Sequence, residues 1–202
     1  GVSLSMLMMA AFKALFYRYS GQSDICFGVP IAGRTHQEIE PLIGFFINTL
    51  AVRSQINEKS SYAEFLQNVK QTNLDAFAHQ VVPFEQIVEA LGVERDRSRS
   101  PIFQVLFNFL NTPEEAEVNL ENTDIEFVPV DGGVSHTDLT ITVVEVGDEI
   151  AMGLAYNTDL FIEQTVIQLL NHCQHLLAAV VTNPDLSLHE IPLLEAAEEV
   201  EL

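Results

Sequence analysis

The sequence predicts an α/β fold in which a mixed β-sheet packs against helices in a single lobe. Two observations predict it: three segments carry the apolar spacing of long helices, at 3–19, 61–80 and 162–184, and short β-rich runs lie between them. The chain has 202 residues, of which 48% are hydrophobic, so it contains enough apolar material for one sizeable core. We therefore expect the helices and strands to share that core.

The first helix, 3–19, is expected to be buried rather than membrane-spanning. Ser3 or Ser5 suits its N-cap, and the stretch "SGQSD" ends it. Lys13 and Arg18 interrupt the apolar run before it reaches the roughly 20 residues that a membrane span needs. The sequence thus predicts no membrane partner.

The strands are predicted from short apolar or alternating runs that are bounded by turn residues. They are 25–33, 45–56, 102–111, 125–130, 138–146 and 149–157. The run "IFQVLFNFLN" is almost continuously apolar, which is typical of a strand covered on both faces. The dipeptide "GD" between the last two runs predicts a hairpin.

The helix at 61–80 has the clearest amphipathic pattern, and Ser60 or Ser61 suits its N-cap. Its predicted apolar stripe consists of Tyr62, Phe65, Leu66, Val69 and Phe77. A shorter helix, 83–92, follows with Pro83 in its first turn. These helices should cover the sheet together with the first and last ones.

The charge of the chain excludes some classes of function. The formal net charge is −20 and the pI is near 4.4, whereas a general nucleic-acid binder needs clustered Lys and Arg over a broad face. Two cysteines, Cys26 and Cys173, are too few for a disulfide framework and fit buried thiols in a reducing compartment. We therefore expect a cytoplasmic protein that binds no nucleic acid.

Three short segments are more polar than a generic core requires. In "LIGFFINTLAVR" the pair Asn48–Thr49 interrupts an apolar strand, and a buried polar group without a hydrogen bond costs about 1–3 kcal/mol. In "HQVVPFE" Glu85 lies in the first turn of a helix, where the helix dipole stabilises a carboxylate. The third segment, "RDRSRSPI", contains three of the nine Lys and Arg residues of the chain: Arg95, Arg97 and Arg99.

In this order and spacing, the three segments resemble the condensation domains of nonribosomal peptide synthetases. The family patterns "IGxFVNT…R", "HQDxPFE" and "RDxSRNPL" appear here as "IGFFINT" with Arg53 after it, "HQVVPFE" and "RDRSRSPI". Val81, Ser100 and Ile102 depart from those patterns, which have Asp, Asn and Leu there. The resemblance implies a structural role for ten motif positions: Gly44, Arg53, His79, Pro83, Phe84, Glu85, Arg95, Asp96, Arg99 and Pro101.

The resemblance implies the C-terminal lobe of a two-lobed, chloramphenicol-acetyltransferase-like fold, with the active site in a channel between the lobes. Residues 1–194 would form this lobe, and 195–202 an acidic tail or the start of a linker to the next domain. The catalytic HHxxxDG signature of the family does not occur in these residues. No catalytic residue is therefore expected in this chain, and the lobe alone is expected to be inactive.

The implied activity is amide-bond formation between an aminoacyl group and an acyl or peptidyl thioester. Both would arrive on the phosphopantetheine arms of donor and acceptor carrier proteins, with no cofactor bound directly by this chain. The other implied partners are the N-terminal lobe of the same domain and the adjacent synthetase domains. An epimerization-type lobe and a non-catalytic scaffold that binds carrier proteins are the alternatives.

The candidate channel-lining residues are Asn48, Thr49 and Asn108. Asn108 lies in "FNFLN", which resembles the "FNYLG" pattern of epimerization domains, where the strand lines the channel. An ordinary hydrogen-bonded core amide is the alternative for Asn108. For the arginine cluster, a brace that pins the loop before strand 102–111 is favoured over a contact to the phosphate of the phosphopantetheine arm.

The histidines are expected to be structural. His79 suits a hydrogen bond at the end of helix 61–80. His172 and His175 have an i, i+3 spacing, but no carboxylate occupies a matching position, so no metal site is predicted. Both imidazoles are expected on the solvent side of the last helix.

Overall fold

The computed structural model describes residues 1–93, 99–111, 135 and 137–194. Within these ranges, no helix is long and apolar enough to cross a membrane. The helices are α1 (Leu4–Ser20), α2 (Tyr62–Ala78), α3 (Phe84–Ala90) and α4 (Glu163–Thr182), with one 3₁₀ turn at Gln37–Ile39. The strands are β1 (Asp24–Ile31), β2 (Asn48–Gln55), β3 (Val105–Leu110), β4 (Leu139–Val146) and β5 (Glu149–Tyr156).

The five strands form one mixed sheet in the order β2-β1-β3-β4-β5. The outer pairs β1–β2 and β4–β5 are antiparallel, and the inner pairs β1–β3 and β3–β4 are parallel. The predicted mixed sheet with packed helices is confirmed. The ladder between β1 and β3 is short, because only Phe27–Val105 and Gly28–Leu106 are paired.

The hydrophobic core lies on one face of this sheet, beneath α1, α2 and α4. Side chains alternate between the faces of a strand, so Phe27 of β1 and Phe107 of β3 point to the same side, where their rings stack with centroids 6.3 Å apart. Phe12 of α1 contacts Phe107 at 6.5 Å between centroids. We call this the helix-covered face, and the opposite one the open face.

The segment after α4 is part of the lobe. Leu188 and Ile191 are buried in the core, and Arg18 of α1 donates hydrogen bonds to the carbonyl oxygens of both. The same segment satisfies the first free N–H groups of α2, since the amide of Tyr62 donates to Leu186 O at 2.9 Å. The chain is therefore held in place beyond the end of its last helix.

The structure corrects several predicted boundaries. The second strand begins at Asn48 rather than 45, because Phe46 lies against Arg34 in a loop before the strand. The third begins at Val105 rather than 102, because Ile102 has a φ of 71°, which lies outside the strand region. In β3 only Phe107 is fully buried, and the other residues are half-buried or exposed. The prediction that this strand is covered on both faces was therefore wrong. The predicted strand 125–130 lies outside the described residues.

Four side chains differ in exposure from the sequence prediction. Phe77, placed in the buried stripe of α2, is exposed. His172, placed on the solvent side, is buried, and His175 is half-buried, because this side of α4 packs on α1 and the final segment. Cys173 is buried as expected, whereas Cys26 is only half-buried.

Candidate functional site

Asn48 joins two of the predicted motifs into one structure. Its Nδ2 atom donates to the carbonyl oxygens of Gln80 and Val82, both at 2.8 Å. Its Oδ1 atom accepts from the backbone N–H of Phe84 at 3.1 Å and of Thr49 at 2.9 Å. The amide thus fixes the turn between α2 and α3 against the start of β2. Because these bonds use both donors and both acceptor positions, the polar atoms of Asn48 serve this brace.

The loop that precedes Asn48 is also held by specific contacts. Arg34 donates to the carbonyl oxygens of Ile39 and Glu40 and lies over the ring of Phe46, 4.5 Å from its centroid. Gly33 has a φ of 64°, and a side chain at this position would collide with the carbonyl oxygen of Phe46. Phe46 is therefore turned inward, and its two neighbours in the chain point outward.

The outward residues form an apolar surface, which we call the apolar tip: Ile43, Phe45, Ile47, Val81 and Val82. Ile43 is 104% exposed, Phe45 89% and Val81 74%. Hydrogen bonds from Asn48 to the carbonyl oxygens of Gln80 and Val82 join the two segments that carry these side chains. The tip lies at the end of the sheet where β1 finishes and β2 begins, since Ile31 pairs with Asn48.

Thr49 and Asn108 lie on the open face, near the same end of the sheet. Thr49 of β2 pairs with Pro30 of β1. Asn108 lies in β3, on the other side of β1, three residues after Val105, which pairs with Phe27. The described ladder between β1 and β3 ends at Gly28–Leu106, before it reaches Pro30 and Asn108. Asn108 pairs with Thr142, and both side chains are half-buried. The structure therefore brings Thr49 and Asn108 to one surface, whereas Asn48 points to the turn between α2 and α3.

Two aromatic rings cover part of the open face beside this surface. The ring of Phe103 occupies the place that a Cβ on Gly28 would fill, and Phe84 packs on Phe103 with centroids 5.3 Å apart. Pro83 is the N-cap of α3 and Glu85 lies in its first turn, as the motif predicts. The motif "PFE" thus places an aromatic side chain on the sheet.

The remaining motif residues are structural or lie outside the described ranges. Arg53 forms a two-pronged ion pair with Asp24, with N–O distances of 2.6 and 2.8 Å, which lowers the pKa of that carboxyl. His79 lies at the C-terminal end of α2, where its Nδ1 atom is 2.8 Å from the carbonyl oxygen of Asp75. Gly44 lies against the ring of Phe46. Arg99 is exposed and Pro101 half-buried, while Arg95 and Asp96 lie outside the described residues.

A cavity of about 670 Å³ lies at the other end of the sheet, where the ladder between β1 and β3 stops. Its walls are mainly apolar, and the Arg53–Asp24 pair lies among the lining residues. Cys26 faces this cavity, and burial raises the pKa of its thiol above the ordinary range. A thiol in that state is a poor nucleophile.

Lys13 is a buried charge that the sequence pattern did not reveal. Its Nζ donates to Val52 O at 2.9 Å and to Ser54 Oγ at 2.7 Å, and it lies 5.3 Å from the ring centroid of Phe27. Burial lowers its pKa to about 7. In the described part of the chain, no three His, Cys, Asp or Glu residues come close enough together to hold a metal ion.

The family model of the condensation domain matches residues 1–202. The chain belongs to the condensation domain family. It is 39% identical to tyrocidine synthase 3 of Brevibacillus parabrevis, over 100% of its own length, and 40% identical to gramicidin S synthase 2 of Brevibacillus brevis, over 98%. The chain spans only 3% and 4% of the length of these two relatives.

Solved structures of condensation domains have the same fold. The chain matches holo-AB3403, a four-domain nonribosomal peptide synthetase bound to AMP and glycine, with a TM-score of 0.89 and 23% identity, over 98% of this chain and 16% of that one. It matches the first condensation domain of the CDA synthetase with a TM-score of 0.76 and 20% identity, over 96% of this chain and 43% of that one. The predicted chloramphenicol-acetyltransferase-like fold is confirmed.

Proposed function

We propose that this chain forms one wall of the reaction channel in a condensation domain that makes amide bonds between carrier-bound substrates. The observation that carries the proposal is the open face, where Thr49 and Asn108 lie at the same end of the sheet while α1, α2 and α4 pack on its opposite side. Membership of the family supplies the reaction class. We propose residues 1–194 as the lobe and 195–202 as an acidic tail or the start of a linker to the next domain.

The proposed reaction is attack by the amine of an aminoacyl group on the carbonyl carbon of an acyl or peptidyl thioester. The C–N bond forms, the C–S bond breaks, and the phosphopantetheine thiol leaves with the proton that the amine gives up. This step depends chiefly on holding a neutral amine close to the thioester carbon. The proton acceptor is assigned to the HHxxxDG motif of the N-terminal lobe, so this lobe alone is proposed to be inactive.

Within the channel, we assign Asn108 a hydrogen bond to the thioester carbonyl or to an ordered water beside it. The half-buried amide sits next to Thr142 on the open face and can present N–H donors there. Thr49 would line the same wall. Asn48 contributes indirectly, by fixing the turn between α2 and α3.

Carrier proteins are the proposed partners, and contact with them is proposed to be mainly apolar or centred on the few Arg residues. Among the described basic residues, Lys13 is buried, Arg18 and Arg34 donate to backbone carbonyls, and Arg53 is paired with Asp24. The other three are Lys59 and Arg99, which are exposed, and Lys70, which is half-buried. With a net charge of −20, the chain offers no broad attraction for an acidic carrier. Raising the salt concentration should therefore change carrier binding little.

The test uses the complete condensation domain with donor and acceptor carriers loaded with their thioesters. We expect Asn108→Ala to slow amide formation about 10-fold or more, the loss typical of one such hydrogen-bond donor, at an unchanged unfolding midpoint. Asn171→Ala, on the exposed side of α4, is the control and should retain the wild-type rate.

Four results would contradict the proposal. Amide formation by the 202-residue chain alone would place the chemistry within it. A wild-type rate in Asn108→Ala would remove Asn108 from the channel. Inversion at the substrate Cα without amide formation would indicate an epimerization-type domain, and carrier binding without either reaction would indicate a scaffold.

A further inference from the structure

The sheet contains a gap beside the first residues of β1. The parallel ladder between β1 and β3 consists of the pairs Phe27–Val105 and Gly28–Leu106, although β1 itself begins three residues earlier, at Asp24. β3 does not continue beside these residues, because Ile102 has a φ of 71° and turns the chain out of a strand conformation. In the described part of the chain, residues 24–26 are therefore paired on one side only, with β2.

The cavity of about 670 Å³ occupies this gap, and we call it the β1–β3 cavity. Phe16 of α1 and Leu169 of α4 line it from the side of the helices. Leu91 and the Arg53–Asp24 pair also line it and are exposed, so the cavity opens to solvent there. Sites for small molecules in proteins typically have volumes of about 300–1,000 Å³ and mainly apolar walls. The β1–β3 cavity therefore has the size and the lining of such a site.

The described lining residues of the cavity carry no unpaired charge. Asp24 and Arg53 are the charged ones, and they neutralise each other through two hydrogen bonds of 2.8 and 2.6 Å. Cys26 adds no charge, because burial raises the pKa of its thiol. A charged ligand would lose its hydration here without meeting an opposite charge, which is unfavourable. The lining therefore favours a neutral ligand.

The edge of β1 supplies hydrogen-bond donors to the cavity. In an antiparallel ladder, alternate residues direct their N–H and C=O groups to the partner strand, and the residues between them direct theirs away from it. The N–H of Ile56 donates to Ser23 O at 2.7 Å, so Ser23 and, by this alternation, Ile25 direct their backbone groups to the β2 side. Asp24 and Cys26 consequently direct their N–H groups to the gap. A ligand carbonyl in the cavity can accept from one of them.

We propose that the β1–β3 cavity binds a neutral, mainly apolar small molecule that carries a carbonyl or a similar hydrogen-bond acceptor. The apolar walls bury the body of the molecule, and its acceptor takes the N–H of Asp24 or Cys26. An extended peptide fits this site poorly, because it would bring several backbone amides into a mainly apolar space with few partners, and each unpaired buried amide is costly. The inference goes beyond the proposed function and does not depend on it, because the cavity and the surface with Thr49 and Asn108 lie towards opposite ends of the sheet.

The test uses Cys26 as a native reporter of the cavity. The complete condensation domain is labelled with N-ethylmaleimide at mildly alkaline pH, and peptide mass spectrometry follows Cys26 and, as the internal control, the buried Cys173. We expect Cys26 to react slowly but measurably and Cys173 not to react. The probe is butyrophenone, a neutral ketone with an apolar body, which should slow the labelling of Cys26 in a saturable manner.

Two matched probes test the chemistry of the ligand. Butylbenzene has a methylene group where butyrophenone has its carbonyl, and it should bind about 2- to 10-fold more weakly, as expected for the loss of one hydrogen bond. Phenylbutyrate carries a carboxylate and should give no protection at concentrations that saturate the site with butyrophenone. Saturating butyrophenone should also raise the unfolding midpoint of the domain, because it binds the folded state.

Substitutions that fill the cavity separate this site from binding elsewhere in the domain. Thr165 of α4 lines the cavity, and Thr165→Phe should abolish the protection of Cys26 by butyrophenone. Gln168→Phe, on the exposed side of the same helix and outside the lining, is the matched control and should leave the protection unchanged. If Thr165→Phe lowers the unfolding midpoint, Leu91→Trp makes the same test at an exposed rim position, where the replaced side chain contributes little to folding.

Other results would overturn the inference. Labelling of Cys26 that butyrophenone does not slow would show that the cavity binds no such molecule, and protection that persists in the filled variants would place the binding elsewhere. Equal binding of butyrophenone and butylbenzene would refute the acceptor, and protection by phenylbutyrate would refute the neutral ligand. If Cys26 is as unreactive as Cys173 before any probe is added, another part of the domain fills the cavity. Amide formation is not a readout here, so failure of the proposed function would leave this test unaffected.

Discussion

Replacement of Asn48 tests whether two motifs that are 30 residues apart form one structural unit. In Asn48→Ala, the carbonyl oxygens of Gln80 and Val82 and the amide of Phe84 lose their partner. Each such hydrogen bond contributes about 0.5–1.5 kcal/mol. The bond to Thr49 joins adjacent residues and is left out of the sum. We therefore expect a loss of roughly 2–4 kcal/mol in the free energy of unfolding.

Asn48→Asp separates the loss of hydrogen bonds from the loss of volume. The carboxylate can still accept from the amide of Phe84, but it places a second oxygen against two carbonyl oxygens that need a donor. We expect it to destabilise the lobe at least as much as alanine does. A purely steric role for Asn48 would make the aspartate variant close to wild type.

The assay is urea unfolding of the complete condensation domain, with hydrogen exchange at the Phe84 amide as the local readout. Asn68→Ala on the exposed side of α2 is the control and should stay within about 0.5 kcal/mol of wild type. A loss below about 0.5 kcal/mol in Asn48→Ala, or unchanged exchange at Phe84, would refute the brace.

Two further predictions concern buried positions. Lys13 has its pKa lowered from 10.5 to about 7, so above pH 7 the unfolded chain keeps a proton that the folded one releases. The free energy of unfolding should therefore rise by about 1 kcal/mol between pH 7 and 8, below the pKa of about 8.5 at which the thiols of the unfolded chain ionise. Lys13→Met should abolish this rise in denaturation curves, and an equal rise in the variant would contradict the assignment. Gly28→Ala should cost about 1–3 kcal/mol because its Cβ meets the ring of Phe103, and a second change, Phe103→Leu, should recover part of the loss. Additive losses in the double variant would show that the two residues do not compete for the same space.

The sequence predicted the elements that depend on local pattern. Helix α1 was expected at 3–19 and is found at Leu4–Ser20, with Ser3 as its N-cap. Helix α2 was expected at 61–80 and begins at Tyr62 with a capping box between Ser61 and Glu64. The "GD" hairpin joins β4 to β5 as predicted. In each case the signal lies within a few residues of the feature that it predicts.

The features that the sequence did not reveal depend on contacts between distant residues. Strand β2 begins three residues late because Phe46 is turned onto Arg34, 12 positions earlier in the chain. Apart from Thr49, the hydrogen-bond partners of Asn48 lie between 32 and 36 residues away in the chain. Its polar side chain showed that it needed hydrogen bonds, but the sequence did not show which residues would form them. In the sequence, Lys13 is a charged residue within an apolar helix. The structure shows that its amine is buried, because it donates hydrogen bonds to Val52 and Ser54 of β2.

The motif residues of this lobe act mainly at joints between elements. Asn48 ties β2 to the turn before α3, Phe84 of that helix packs on Phe103, and Phe103 fills the space above Gly28 in β1. This series of contacts runs from the apolar tip to the open face of the sheet. A displacement of the turn between α2 and α3 would thus reach the open face of the sheet through packed rings. For this reason, substitutions in "GFFINT" and "PFE" should alter the packing of Phe103 on that face.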